Sequence, residues 1–152
     1  MKAEEFTLRP MEEKDREAVI SLMRSFYSSP AVLSGGSEEI FERDVDVCLS
    51  DSPFLQGTVF EHEGILYGYA MTAFSFSAEF GRSCLWIEDL YLVRSARGLG
   101  LGSLFLKMLA RTHPESVLRL ETEEDNAAAR RTYAGCGFED LPYLEMIRLP
   151  HH

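Results

Sequence analysis

Cysteine is scarce in this chain: Cys48, Cys84 and Cys136 are odd in number and scattered. None stands in a C-x-x-C pair, and His62 and His113 keep no ligand spacing with them, so neither a disulfide framework nor a metal site is expected. Unpaired thiols point instead to a reducing, cytoplasmic setting. No apolar run approaches the roughly 20 residues of a membrane span. The opening Met1-Lys-Ala-Glu-Glu-Phe6 is charged where a secretory leader carries its apolar core, so no membrane partner is expected. Basic charge is also short, with 15 Lys and Arg against 25 Asp and Glu and a net charge of −10. Nucleic-acid binding needs a basic surface, which excludes that partner class. A cationic substrate would be drawn by such a field, although solubility alone produces the same acidity. There is no internal repeat, low-complexity stretch or linker.

What is present suits a compact α/β domain. The chain has 152 residues, 45% of them hydrophobic, which is enough for a core. One domain over residues 1–150 is expected, with His151-His152 read as a tag remnant. Phe6 to Arg9 reads as a short strand ended by Pro10. Ala18, Val19, Leu22, Met23 and Phe26 form a helical stripe opened by Glu12, Glu13 and Asp15. Ser28 to Gly36 is a break. Glu38 to Leu49 reads as a second helix with Ile40, Phe41, Val45, Cys48 and Leu49 inward. Gln56–Glu61 and Ile65–Phe76 read as strands joined at His62-Glu-Gly64. After a turn at Ser77–Gly81 comes a long central strand, Cys84 to Val93. Val117–Thr122 is a further strand, Asn126 opens the last helix, and Phe138 with Leu144–Leu149 is expected to finish the sheet.

The most informative stretch follows the central strand. Arg97-Gly98-Leu99-Gly100-Leu101-Gly102 leads straight into a stripe of Leu101, Leu104, Phe105, Met108 and Leu109, an amphipathic helix that Pro114 closes. Glycines allow turns with φ > 0, and the first N–H groups of a helix are unpaired and partly positive. Together they make an anion site, to which Arg97 adds a guanidinium. No Lys-Ser or Lys-Thr pair follows, so this is not a Walker A loop. Ser103 stands where a dinucleotide fingerprint needs its third glycine.

Strand, Arg-x-x-Gly-x-Gly, then helix resembles motif A of the GNAT acetyltransferase superfamily. A second segment agrees: Asn126-Ala-Ala-Ala129-Arg-Arg-Thr-Tyr133-Ala-Gly-Cys-Gly137-Phe138 is similar to that family's N-x-x-A-x-x-x-Y-x-x-x-G-F. Ile87-Glu-Asp-Leu-Tyr-Leu92 looks most like the polyamine and diamine branch. The resemblance spans residues 84–149. It implies a three-layer α/β fold with a mixed, mostly antiparallel sheet of six to seven strands and about four helices. It implies acetyl-CoA as cofactor and N-acetyl transfer to a small-molecule primary amine, through direct attack in a ternary complex. Homodimers are common in the superfamily. The alternatives are a coenzyme A-binding sensor or interaction module without turnover, or an acetyltransferase for a protein N-terminus, an amino acid or an aminoglycoside.

The resemblance also implies roles. The turn Gly98, Leu99, Gly100, Leu101, Gly102 and Ser103, with Arg97, would hold the diphosphate. The backbone of Leu90, Tyr91 and Leu92 would receive the pantetheine arm at a bulge, with an N–H near Leu90 as oxyanion donor. Asn126 and Ala129 would flank the same arm, Asn126 serving equally as a helix N-cap. Arg130 and Arg131 suit either the 3′-phosphate or a solvated face. Tyr133 would be the acid that protonates the leaving sulfur, or else a core tyrosine bonded to a carbonyl. Glu88 would be the base, with Asp89 as rival and an internal salt bridge as alternative. Strand alternation places Glu88 on the face of Trp86 and, absent a bulge, of Leu90. Phe26, Tyr27, Trp86 and Glu88 are the expected acceptor contacts. Glu38, Glu39, Glu42 and Asp44 would either meet a second ammonium or form the wet face of their helix.

Overall fold

A computed structural model describes residues 1–150; His151 and His152, the expected tag remnant, lie outside the described residues. The elements are β1 (Thr7–Pro10), α1 (Arg16–Tyr27), α2 (Glu38–Leu49), β2 (Leu55–His62), β3 (Ile65–Ser77), β4 (Arg82–Leu92), α3 (Leu101–Thr112), β5 (Val117–Leu120) and α4 (Ala127–Gly135). The strands lie in sequence order. The first four are antiparallel, and β5 is parallel to β4, as the intervening helix α3 requires. No helix among the described residues is long and apolar enough to cross a membrane.

Each helix pair buries a stripe on one face of the sheet. Val19, Met23, Phe41 and Val45 from α1 and α2 pack with Val59, Tyr69 and Met71. Leu101, Phe105, Leu106 and Leu109 from α3 pack with Phe60, Ala70 and Ile87 on the other face, where α4 adds Tyr133. Three expected inward residues are not buried: Ala18 is exposed, and Ile40 and Leu104 are 44% and 38% exposed. Ile20 and Leu106 are buried in their place, because each contact face is rotated slightly from the stripe read in sequence.

Among the described residues the sheet has five strands, not six or seven. Phe138 does not enter it. Its N–H donates to the Tyr133 carbonyl at 3.0 Å, and Gly137, at φ +92°, caps α4 in a Schellman-like turn. Leu144, Met146 and Ile147 are 90%, 90% and 84% exposed, so the segment does not extend β5. Its apolar content matches a strand, but it forms no ladder with the sheet among the described residues. The Tyr143 hydroxyl donates to Glu79 in the β3–β4 turn at 2.6 Å, and Glu145 stands beside Glu121.

Arg9 ties three elements together. Its Nη atoms reach both Asp15 carboxylate oxygens at 2.8 and 2.9 Å, and Glu61 at 2.6 Å. Asp15 is only 4% exposed. Burial alone would raise its pKa, but Arg9 and the Glu12 amide outweigh it and hold the carboxyl below the usual aspartate range. Its stabilising contribution is therefore present above the ordinary aspartate pKa and is lost as pH falls through the lower folded value. Arg9→Ala should cost about 3 kcal/mol in chemical denaturation, at the low end for a broken buried pair because Glu61 keeps some water. A loss below roughly 1 kcal/mol would mean Asp15 finds another partner.

Candidate active site

The site begins where two parallel strands part. β4 pairs with β5 only from Cys84–Val117 to Ile87–Leu120, yet β4 continues against β3 as far as Leu92. Beyond Ile87 the outer edge of β4 is therefore open to a ligand that can pair with backbone. At the parting point Met71 faces Asp89 and Thr72 faces Ile87, which leaves Glu88 as the extra residue of a β-bulge. Strict alternation is broken here. Ile87 and Leu90, three apart, both pack on the α3 side, while Asp89 bonds to Tyr69 on the α1 side. Glu88 thus does not share a face with Leu90.

A cleft of about 800 Å³ opens at this divergence. Of the residues expected in the site it brings together Phe26, Glu88, Leu90, Tyr91, Leu92, Arg97, Gly98, Gly100, Leu101, Gly102, Ser103, Asn126, Ala129 and Tyr133. Leu99, Tyr27 and Trp86 do not line it. Trp86 is half-buried, with the Arg119 guanidinium 4.6 Å from its ring centre. Also in the lining are Ser29, Pro30, Ala31, Leu120, Glu121, Thr122, Glu123, Asp125 and Thr132, which motif reading missed. The signal for Glu121 was its place just past the end of a strand parallel to β4, where ligands gather in α/β sheets.

The turn before α3 has the features of an anion cradle. Gly98 and Gly100 lie at φ +77° and +87°, and Gly100 is the N-cap of α3. A Cβ built on either meets nothing within 4 Å, so the space above the turn is clear. Both are conformations that L-residues other than glycine rarely adopt. Arg97 Nε donates to the Leu92 carbonyl at 2.9 Å, which anchors the turn to β4. Its Nη groups have no hydrogen-bond partner among the described residues. These residues fit a diphosphate-bearing cofactor.

Asn126 is the N-cap of α4, its side chain accepting from the Ala129 amide at 3.4 Å. Arg130 pairs with Asp140 at 3.0 Å on the surface. Three acids of α2 are on its wet face, Glu38 paired with Arg24, Glu39 with Arg43 and Glu42 with Arg16, whereas Asp44 is half-buried and burial, then Asp89, push its carboxyl up to about 6.

Tyr133 has its ring against Phe138, the centroids 6.1 Å apart, and burial pushes its phenol above the ordinary pKa. Its hydroxyl makes no hydrogen bond among the described residues. The core-tyrosine alternative needs a carbonyl partner, and none is there; the phenol lines the cleft as a protonated donor. Glu88 likewise has no hydrogen bond or ion pair among the described residues, which removes the internal salt bridge. Burial, then Asp89, then Glu145 raise its pKa above the usual carboxylate range. Glu121 is pushed up to about 7, by hydrogen bonding with Glu145 and then by burial. Asp89, the rival candidate, does not line the cleft: it is 5% exposed, and both its oxygens accept from tyrosine hydroxyls.

The model of the Acetyltransferase (GNAT) family matches residues 17–138. The chain belongs to the GNAT acetyltransferase family. A thialysine N-epsilon-acetyltransferase from Bos taurus is 35% identical over 81 residues, covering 51% of this chain and 47% of that one. The chain therefore spans about half the length of that curated relative. Among solved structures, a possible acetyltransferase from Clostridium difficile 630 superposes with a TM-score of 0.82 at 16% identity, covering 97% of this chain and 99% of the other. The aminoglycoside N-acetyltransferase AAC(6')-Iy, solved with CoA, gives a TM-score of 0.78 at 16% identity over 95% and 94%. These likenesses show the GNAT fold, with acetyl-CoA the cofactor of the family.

Proposed function

We propose that this protein is an acetyl-CoA-dependent N-acetyltransferase acting on a primary amine of a small molecule, with a di- or polyamine as the favoured acceptor. The observation that carries this reading is the Tyr133 hydroxyl, unpartnered in a cleft that Glu88 lines from β4. Bound acetyl-CoA would supply an acetyl group activated as a thioester. The turn from Gly98 to Ser103, with Arg97, holds the diphosphate. The open edge from Leu90 to Leu92 pairs with the amide-bearing arm, which Asn126 and Ala129 flank.

Three proton or charge events then fall to protein groups. Glu88, directly or through water, takes the proton of the incoming ammonium. A backbone N–H near Leu90 faces the negative charge that develops on the acetyl oxygen. Tyr133 gives its phenolic proton to the departing sulfur and regains one from the newly acetylated nitrogen, which sheds its extra proton as the C–S bond breaks. Direct attack in a ternary complex is favoured because, among the described residues, no cysteine lines the cleft; burial pushes the Cys48 thiol up to about 12.

The acceptor class rests on charge and on kinship. Glu88, Glu121, Glu123 and Asp125 all line the cleft. Such an acidic wall raises the local concentration of cations. The 35%-identical relative is named for acetylating the ε-amine of thialysine, a terminal primary amine. Residues 1–150 acting as one domain, a homodimer and a cytoplasmic location complete the reading. Sedimentation tests the dimer, and the three unpaired thiols support the location.

A thiol-release assay with acetyl-CoA and a panel of diamines, polyamines, lysine analogues and aminoglycosides tests the activity. Turnover on at least one primary amine is expected. Calorimetric binding of CoA without turnover on any amine would make the protein a sensor instead. A base must be deprotonated to act, so kcat/KM should rise with pH through the raised pKa of Glu88. Glu88→Gln should lose that rise and most of the rate, roughly 100-fold or more; an unchanged profile would take Glu88 out of the mechanism.

A further inference from the structure

Asp89 is the most deeply buried carboxylate beside the cleft, and no cation pairs with it among the described residues. Its Oδ1 accepts from the Tyr27 hydroxyl at 2.9 Å and its Oδ2 from the Tyr69 hydroxyl at 2.7 Å. Each phenol has one proton to give, so the arrangement satisfies an anion; burial outweighs the two bonds and holds the Asp89 carboxyl above the usual aspartate range, so both donors are needed to keep it ionised. The two donors come from different elements. Tyr69 is fully buried in β3, and Tyr27 is the last residue of α1. Just beyond Tyr27 the chain turns through Ser29, Pro30 and Ala31, which line the cleft with Phe26. Asp89 is also the first ladder residue after the bulge, opposite Met71. One buried side chain therefore joins the bulge in β4, the neighbouring strand β3 and the end of the helix that walls the cleft.

We propose that Asp89 is a positioning residue for the acetyl transfer: its carboxylate, clamped by Tyr27 and Tyr69, holds the bulge that presents Glu88 and pins the end of α1 beside it. This rests on the reading of Glu88 as the base. A second consequence follows from placing two carboxylates on adjacent residues of one bulge. The anion at Asp89 disfavours the anion at Glu88, so Glu88 keeps its proton to higher pH than an isolated glutamate. A base is most effective when its pKa lies near the working pH, which gives the buried charge a use. The other groups around Glu88 are Tyr27 on α1, Asp44 on α2, Glu121 after β5 and Glu145 in the C-terminal segment; Tyr69 on β3 reaches it through Asp89. All are acidic or phenolic; Arg97, a cation that lines the same cleft, is held to Leu92 through Nε and assigned to the diphosphate.

The test is the pH profile of kcat/KM for the wild type and four variants, with CoA affinity by calorimetry as the check on folding. Asp89→Asn keeps the shape and removes the charge. It should move the acid limb roughly one pH unit toward acid and lower kcat about tenfold, with CoA affinity unchanged. Asp89→Glu keeps the charge, so its limb should stay near the wild-type position while kcat falls. If Asp89→Asn does not fold, the double variant Tyr27→Phe with Tyr69→Phe strips both donors. A buried carboxylate left without donors takes up a proton, and the limb should move the same way. A folded Asp89→Asn, or double variant, whose rate falls while its limb stays in place would make Asp89 merely structural and overturn the inference. Glu88→Gln separates the two levels. If it abolishes the limb, the base reading holds and Asp89 is judged on its own; if the limb survives, both readings fall together.

Discussion

Tyr133→Phe is expected to lower kcat roughly 10- to 1000-fold while leaving the affinity for CoA within about twofold, in line with the loss of one general acid. The change deletes a single oxygen. The ring stays packed on Phe138 in the core shared by α3 and α4, so the cleft should keep its shape. Because the hydroxyl has no hydrogen-bond partner among the described residues, removing it orphans no buried donor or acceptor, and stability should change little. The loss should then fall on kcat, where a proton delivered only as the sulfur departs is felt. It should be smaller for an acyl donor whose leaving thiol is more acidic, since that thiolate needs less help. Equal turnover by the variant would place Tyr133 among the ordinary core tyrosines.

Gly100→Val should have the larger effect on binding: CoA affinity should fall beyond calorimetric detection, at least about 100-fold. Two physical terms act together. Gly100 sits at φ +87°, which a β-branched residue adopts only with strain of roughly 1–3 kcal/mol. The new side chain would also stand in the clear space above the turn, where a Cβ now meets nothing within 4 Å. The first term costs stability, and the second costs only the ligand. Gly81→Val separates them. Gly81 lies at φ +65° in the β3–β4 turn, and a Cβ there also meets nothing within 4 Å. It should show the strain in its melting temperature yet bind CoA normally. If both variants bound CoA with wild-type affinity, the turn would not hold the diphosphate.

The parts of this protein readable from sequence share one property: their cause is local. The glycine turn was legible because residues near φ +80° leave a compositional mark, and α3 because its apolar stripe begins at once. Asn126 and Gly137 marked the two ends of α4 for the same reason. Tyr133 and Glu88 were legible through motif spacing, which a helix and a strand preserve.

Whatever depended on which surface meets which was not. Tyr27 had the same standing as Phe26 in sequence, yet its hydroxyl is committed to Asp89, 62 positions away, while Phe26 faces the cleft. Trp86 looked like an acceptor contact and lies under Arg119 from the neighbouring strand. Leu144–Leu149 had the composition of a strand, but a strand also requires a ladder with a neighbour, and none forms there among the described residues. The chain's own order of residues thus settled the fold family and marked the glycine turn and the acid and base candidates, because dihedral preference and periodicity act over a few residues. The parting of β4 from β5, the bulge at Glu88 and the burial of Asp89 between two tyrosines were settled only by packing. Each depends on the register of strands and on helices distant in sequence, and no local pattern encodes that.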